Sequence, residues 1–224
     1  MTEEEFERIR DRIDLEVSHA ADHLHLLQGL LATHPNYFLE MNESWTFWSL
    51  TFKAHYTVVL SQLCKLYDKT KGNLSLKRFL QAVNDHQDFF SDAGFRKRLA
   101  GNPHINTLAA NRSIEAVELA AELASVSESD ALVFRLLELR NKTGSHLDTG
   151  RIMQGIETTG LTVAELELLL RRARAITGKY SLLFRASVYG GMVGSDDYLS
   201  TLKWVRKALS AHQKSIDDEM ELAS

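Results

Sequence analysis

Apolar residues recur every three or four positions along almost the whole chain, and this spacing limits the possible folds most strongly. Residues spaced in this way line one side of an α-helix. The 224 residues include only two prolines, Pro35 and Pro103, so long helices can run without a break. No stretch shows the alternating pattern of a strand. We therefore predict an all-α fold, a bundle of about seven to eight helices.

Caps and breakers predict where these helices begin and end. The first helix is predicted over 3–33, and an aromatic-rich second helix over about 45–68, after the N-cap Ser44. Thr162 and Glu165 form a capping box for a helix that runs to about residue 188. Further helices are predicted over about 75–90, 92–99 and 106–125. Another is predicted to start at Ser127 or Ser129 and to lead into the motif described below. The last is predicted to start at Ser195 and to fray into an acidic tail.

The length of the chain suits one domain with a substantial core. We predict a single helical domain over 1–224, made of an N-terminal helical part (1–40), a core (44–190) and a C-terminal helix (195–224). The single cysteine, Cys64, excludes an internal disulfide and a cysteine-based zinc site. No apolar run reaches the ~18 residues of a membrane span, and the N-terminus is acidic. These features predict a cytoplasmic protein without a membrane partner.

The net charge of −4 means that the whole molecule does not attract nucleic acid, so any RNA contact needs a local basic patch. Residues 131–190 carry nine bases against five acids, whereas residues 1–20 carry three bases against seven acids. We predict substrate binding by cations of this basic half, although a merely solvated basic face is the alternative. The predicted substrate-binding residues are Lys142, Arg171, Arg172 and Arg174.

Residues 134–148, FRLLELRNKTGSHLD, place an arginine, an asparagine and a histidine at the end of an apolar helix. The guanidinium of Arg140 is a permanent cation that suits phosphate oxygens, and His146 titrates near neutral pH. Such a pair can cleave a phosphodiester without a metal, because the imidazole removes a proton and the guanidinium stabilises charge on the phosphorus oxygens. Arg140, His146 and Asn141 are therefore the predicted catalytic residues, with no metal or other cofactor.

Spacing alone does not single out this pair. An arginine followed after four to six residues by a histidine occurs four times, but only Arg140 ends an apolar helix that can anchor it. On an unbroken helix, Arg140 and His146 lie about 120° apart around the axis and about 9 Å along it. Either Gly144 loosens the helix, or a two-fold axis brings His146 of one subunit towards Arg140 of another. We favour the homodimer.

Asp68 lies at the predicted C-terminal end of the second helix, where the helix dipole does not favour a carboxylate. Another group is then needed to hold it. Arg140 and a neighbouring lysine are both candidates, and the sequence does not decide between them.

Arg140-Asn141, the four residues after them and His146 resemble the motif of the HEPN superfamily (higher eukaryotes and prokaryotes nucleotide-binding domain). Residues 44–80, SWTFWSLTFKAHYTVVLSQLCKLYDKTKGNLSLKRFL, are similar to the U-type abortive-infection branch, which has a Leu-Tyr-Asp-like helix end and a following Ser-Leu helix start. With the helices around these two blocks, the likeness covers most of the chain.

The resemblance implies a metal-independent, usually dimeric endoribonuclease of a toxin-antitoxin or phage-defence system, with an antitoxin or other defence protein as partner. Arg140 and His146 match its catalytic positions, and Asn141 matches the polar position after the arginine. Asp148 stands where toxins silenced by nucleotidylation carry a tyrosine, so this modification is not predicted. The competing hypothesis is a non-catalytic helical module that binds nucleic acid or a partner protein.

Overall fold

The described part of the chain is helical and contains no strand, which confirms the all-α prediction. A computed structural model describes residues 1–109, 113–143, 160–187 and 196–223, with the backbone alone at 141–143 and 223. Short 3-10 turns cover His34–Tyr37 and Gln87–Phe90. The α-helices of the described part are α1 (Glu3–Thr33), α2 (Phe38–Asn42), α3 (Trp45–Leu66), α4 (Leu76–Asp85), α5 (Asp92–Arg98), α6 (Ile105–Leu108), α7 (Ala116–Ser125), α8 (Ala131–Thr143), α9 (Val163–Arg185) and α10 (Asp197–Ala223).

The chain packs as two units. Unit 1 comprises Met1–Ala21 and Val59–Gly191, and unit 2 comprises Asp22–Val58 and Met192–Ser224. A single domain over 1–224 stays a prediction. None of the described helices combines the length and the apolar character that crossing a membrane requires.

The core of unit 1 is built around an aromatic cluster between α1, α4 and α9. The ring of Phe6 lies 5.7 Å from that of Phe79 and 5.1 Å from that of Phe184, centroid to centroid. Phe90 and Tyr180 complete the cluster, and all five side chains are buried. Burial of aromatic side chains is the largest apolar contribution that single residues make, so this cluster fixes the three helices in unit 1.

The C-terminal end of α3 is anchored in the same unit. The hydroxyl of the buried Tyr67 donates to the carbonyl oxygen of Leu169 on α9 at 2.8 Å. On α8, Val133, Leu136 and Leu137 are buried, and the Sγ of Cys64 on α3 lies 3.9 Å from the carbonyl oxygen of Leu136. These contacts hold the end of α3 and the last turns of α8 as one framework.

Unit 2 has its own small core. Leu30, Met41, Trp48 and Leu202 are buried together. The Arg206 guanidinium lies 4.0 Å above the ring centroid of Tyr37 and donates a hydrogen bond to the buried Glu40. Hydrogen bonding from Arg206 lowers the pKa of Glu40.

Hydrogen bonds define two helix caps, and the second of them confirms a predicted capping box. The Oγ of Ser75 accepts from the backbone N–H of Arg78 at the start of α4. At the start of α9, Thr162 and Glu165 each accept a hydrogen bond from the other's backbone N–H, as a capping box requires. The bounds of α1 also agree with the prediction.

Other predicted bounds were wrong. Two helices, α6 and α7, replace the single helix predicted over 106–125, and α7 begins after Glu115, whose backbone is extended. Asp130, rather than Ser127 or Ser129, caps α8, since its Oδ1 accepts from two N–H groups of the first turn, both at 3.0 Å. The predicted cap Ser195 lies outside the described residues.

The C-terminal ends of α4, α9 and α10 also differ from the prediction. The fourth helix ends at Asp85 and a 3-10 turn follows it. Helix α9, predicted to run to about residue 188, ends at Arg185, because Ala186 adopts a left-handed conformation with φ 56°. The acidic tail does not fray, and α10 continues to Ala223 through residues with good helix propensity such as Glu, Met and Leu.

Candidate functional site

Arg140 lies in the last turn of α8, and Asp68 holds its guanidinium. The Nη1 of Arg140 donates to Oδ1 of Asp68 at 2.7 Å, and 29% of the Arg140 side chain remains exposed against 11% for Asp68. Of the two partners considered for Asp68, the structure therefore shows Arg140. The nearest lysine in sequence, Lys69, instead pairs with Glu128 at 2.5 Å.

The loop between α3 and α4 wraps around the same carboxylate. Oδ1 of Asp68 accepts from the backbone N–H of Thr70 at 3.0 Å and from its hydroxyl at 2.9 Å. Oδ2 accepts from the side-chain amide of Asn73 at 2.7 Å. Gly72 makes the tight turn possible, because its φ of 97° lies in the left-handed region that favours glycine. Asp68 thus fixes both its own loop and Arg140.

The charge of Asp68 is permanent at neutral pH. Burial alone would raise the pKa of this carboxyl, but hydrogen bonds from Asn73, Arg140 and Thr70 outweigh it and hold the pKa well below its ordinary value of 3.8. Burial raises the pKa of the neighbouring Cys64 thiol to about 11, so this cysteine is protonated and is not a nucleophile. Asp68 and Arg140 therefore face each other as a carboxylate and a guanidinium.

The structure describes only part of the predicted catalytic set. Of the predicted catalytic residues, Arg140 has a described side chain, and it lies on α8 as predicted. Asn141 and Lys142 follow it on the same helix, but their side chains lie outside the described residues. His146 and Asp148 lie outside the described residues altogether.

The three arginines predicted to bind substrate on α9 have different surroundings. Arg172 is tied to its own unit, because its Nη1 donates to the carbonyl oxygen of Ser125 at 2.5 Å and pairs with Asp130 at 3.0 Å. The Nε of Arg171 lies 3.8 Å from Glu167, and its side chain is 67% exposed. Arg174 is exposed. Arg171 and Arg174 thus remain on the surface, whereas Arg172 contributes to packing.

A cavity beside Asp68 was not anticipated. This basic pocket, as we call it, has a volume of about 390 Å³ and is formed by the loop from Asp68 to Ser75 and the first turns of α4, with Lys69, Lys71, Lys77 and Arg78 in its wall. The sequence carried a signal for it, since residues 65–78 hold five bases against one acid.

An all-helical chain with an arginine held by a carboxylate at the end of an apolar helix fits the HEPN class. A family model described as AbiU2 (HEPN_AbiU2) matches residues 3–214. The chain belongs to the AbiU2 family of HEPN domains and is thus an abortive-infection-related HEPN domain. Comparisons with curated proteins and with solved structures found no match.

Proposed function

We propose that the protein is a metal-independent endoribonuclease of a toxin-antitoxin or phage-defence system, acting as a homodimer in the cytoplasm. His146 removes the proton from an RNA 2′-hydroxyl, and the 2′-oxygen attacks the adjacent phosphorus. Arg140 stabilises the charge of the phosphorane, and Asn141 positions it. The P–O5′ bond then breaks, the leaving oxygen takes a proton from water, and a 2′,3′-cyclic phosphate and a 5′-hydroxyl result.

The observation that most supports this proposal is that Arg140 is held in place by Asp68. A guanidinium that stabilises a transition state must be held before the reaction, because reorganising it during the reaction costs free energy. Asp68 provides this fixation at 2.7 Å and leaves 29% of the arginine side chain exposed. The position of Arg140 near the end of an anchored helix in an AbiU2-family chain adds support. The 2′-hydroxyl is the reason why RNA rather than DNA is the substrate.

The experiment is a cleavage assay on a labelled single-stranded RNA in the presence of EDTA. We expect Arg140→Ala and His146→Ala each to lower the rate by ~100-fold or more. The product of the parent should carry a 2′,3′-cyclic phosphate. Circular dichroism establishes that each variant remains folded.

Two matched controls come from the chain itself. Arg135→Ala removes another arginine of α8 that pairs with a carboxylate, that of Glu165. His212→Ala removes a histidine that follows Arg206 at the same spacing as the proposed pair. Both controls should cleave at the parental rate. If folded Arg140→Ala and His146→Ala variants cleave RNA as fast as the parent, the ribonuclease proposal is wrong.

A non-catalytic binding module is the second candidate, and the same ion pair supports it. The Asp68–Arg140 contact joins α8 to the loop after α3, which is also what a purely structural arginine would do. This function predicts RNA or protein binding without cleavage products. Toxicity on expression that is relieved by His146→Ala would instead favour the enzyme.

A further inference from the structure

Asp68 connects the basic pocket to the proposed catalytic arginine. The carboxylate that lines the pocket is the one that accepts from Nη1 of Arg140 at 2.7 Å. Its two oxygens are engaged by Arg140, Thr70 and Asn73. Because Arg140 compensates the charge of Asp68, the carboxylate does not offset the positive potential of the other pocket residues.

Most cations in the pocket wall have no ion-pair partner among the described residues. Lys69 pairs with Glu128, but Lys71, Lys77 and Arg78 are exposed and form no side-chain ion pair with any residue that the structure describes. Three like charges around one concavity repel each other, and an anion that enters it relieves this repulsion. In a chain with a net charge of −4, such a local excess favours a specific anionic ligand.

The shape of the pocket suits part of a polynucleotide. A cavity of about 390 Å³ is at the small end of ligand sites, and flexible lysines on its rim can follow a phosphate backbone. The loop that forms its wall is preorganised by the hydrogen bonds to Asp68, so little ordering accompanies binding. The pocket also adjoins the residue that holds Arg140.

We propose that the basic pocket binds the sugar-phosphate backbone of single-stranded RNA next to the scissile phosphate, through Lys71, Lys77 and Arg78. This inference rests on the proposed ribonuclease function and names the binding subsite of its substrate. Binding here positions the neighbouring phosphate at Arg140, and it reads the backbone rather than the base sequence.

The test is the binding of a fluorescein-labelled single-stranded RNA in which every ribose is 2′-O-methylated, so that 2′-oxygen attack is impossible. Fluorescence anisotropy compares the parent with the triple variant Lys71→Gln/Lys77→Gln/Arg78→Gln. The matched control is Arg8→Gln/Lys53→Gln/Lys97→Gln, which removes the same charge from exposed positions outside the pocket.

We expect the pocket variant to bind at least tenfold more weakly at 0.15 M salt, and the control to change less than threefold. A plot of the logarithm of the binding constant against the logarithm of the salt concentration has a negative slope. Its magnitude should decrease by about 2, because three phosphate contacts on a single strand are lost. A parent that does not bind this RNA, or a pocket variant that loses no more affinity than the control, overturns the proposal.

The two proposals fail in distinguishable ways. If the parent cleaves unmodified RNA but the pocket variant binds normally, the ribonuclease function stands and the subsite is wrong. If the pocket variant loses binding but neither parent nor variant cleaves RNA, the subsite stands and the catalytic proposal is wrong.

Discussion

At the residue scale, Asp68 is the most informative side chain of the site. It lies 72 positions before Arg140 in the sequence, yet the two form an ion pair of 2.7 Å. The same carboxylate closes its own loop through Thr70 and Asn73. Asp68 therefore stabilises its loop and, under the proposed function, also positions Arg140. Substitutions can separate these two roles.

Asp68→Asn tests the positioning task. The amide keeps the shape of the side chain but loses the charge that holds Arg140, so we expect cleavage to fall ~10-fold to 100-fold, in kcat more than in KM. The free energy of unfolding should also fall, by about 1–3 kcal/mol. Steady-state kinetics and urea unfolding measure the two effects.

Asp130→Asn is the matched control for this substitution. Asp130 also pairs with an arginine, Arg172 at 3.0 Å, and 24% of its side chain is exposed. We expect this variant to lose stability to a similar degree and to keep its kcat. An equal loss of kcat in the two variants would mean that Asp68 acts only through stability.

At the element scale, local signals predicted helix starts better than they predicted helix partners. The capping box of Thr162 and Glu165 lies within four residues, and the sequence alone revealed it. The cap of α8 was misassigned, because serines at 127 and 129 and the aspartate at 130 are all acceptable N-caps and backbone geometry selects Asp130. The partner of Asp68 stayed open, since no local pattern encodes a contact between distant elements.

The paired histidines of unit 2 give α1 and α3 a pH-dependent contact. The Nδ1 atoms of His23 and His55 lie 2.8 Å apart. One of these two nitrogens must therefore carry no proton, so that it can accept the hydrogen bond from the other. Burial and then the nearby His23 lower the pKa of His55 below its ordinary value of 6.5. The unfolded chain therefore binds more protons than the folded chain below that value.

We expect the stabilisation from this pair to be complete above about pH 6.5 and to decline as the pH falls through the lowered pKa of His55. Thermal unfolding at pH 7.5 and pH 5.5 measures it. His55→Gln should make the drop in Tm between these values smaller, whereas the exposed His104→Gln should leave it unchanged. A drop that is the same in all three proteins would assign the pH dependence to other groups.

At the scale of the whole molecule, the sequence predicted the fold class and the family but not the division into two units. Hydrophobic period and the scarcity of prolines are sufficient for an all-α chain. The division depends on which helices share a core, and α1 and α3 each contribute residues to both units. The basic pocket was not predicted either, because it also depends on tertiary packing. This cavity forms only when the loop after α3 folds against α4.

The proposed homodimer makes a prediction that concerns two chains at once. If Arg140 of one subunit acts with His146 of the other, a dimer of one Arg140→Ala chain and one His146→Ala chain contains one site with both residues intact. Random exchange between equal amounts of the two inactive variants makes half of the dimers mixed. We therefore expect about a quarter of the parental cleavage rate after co-refolding, while each variant refolded alone stays inactive. Activity no greater than the sum of the separate variants would place both residues within one chain.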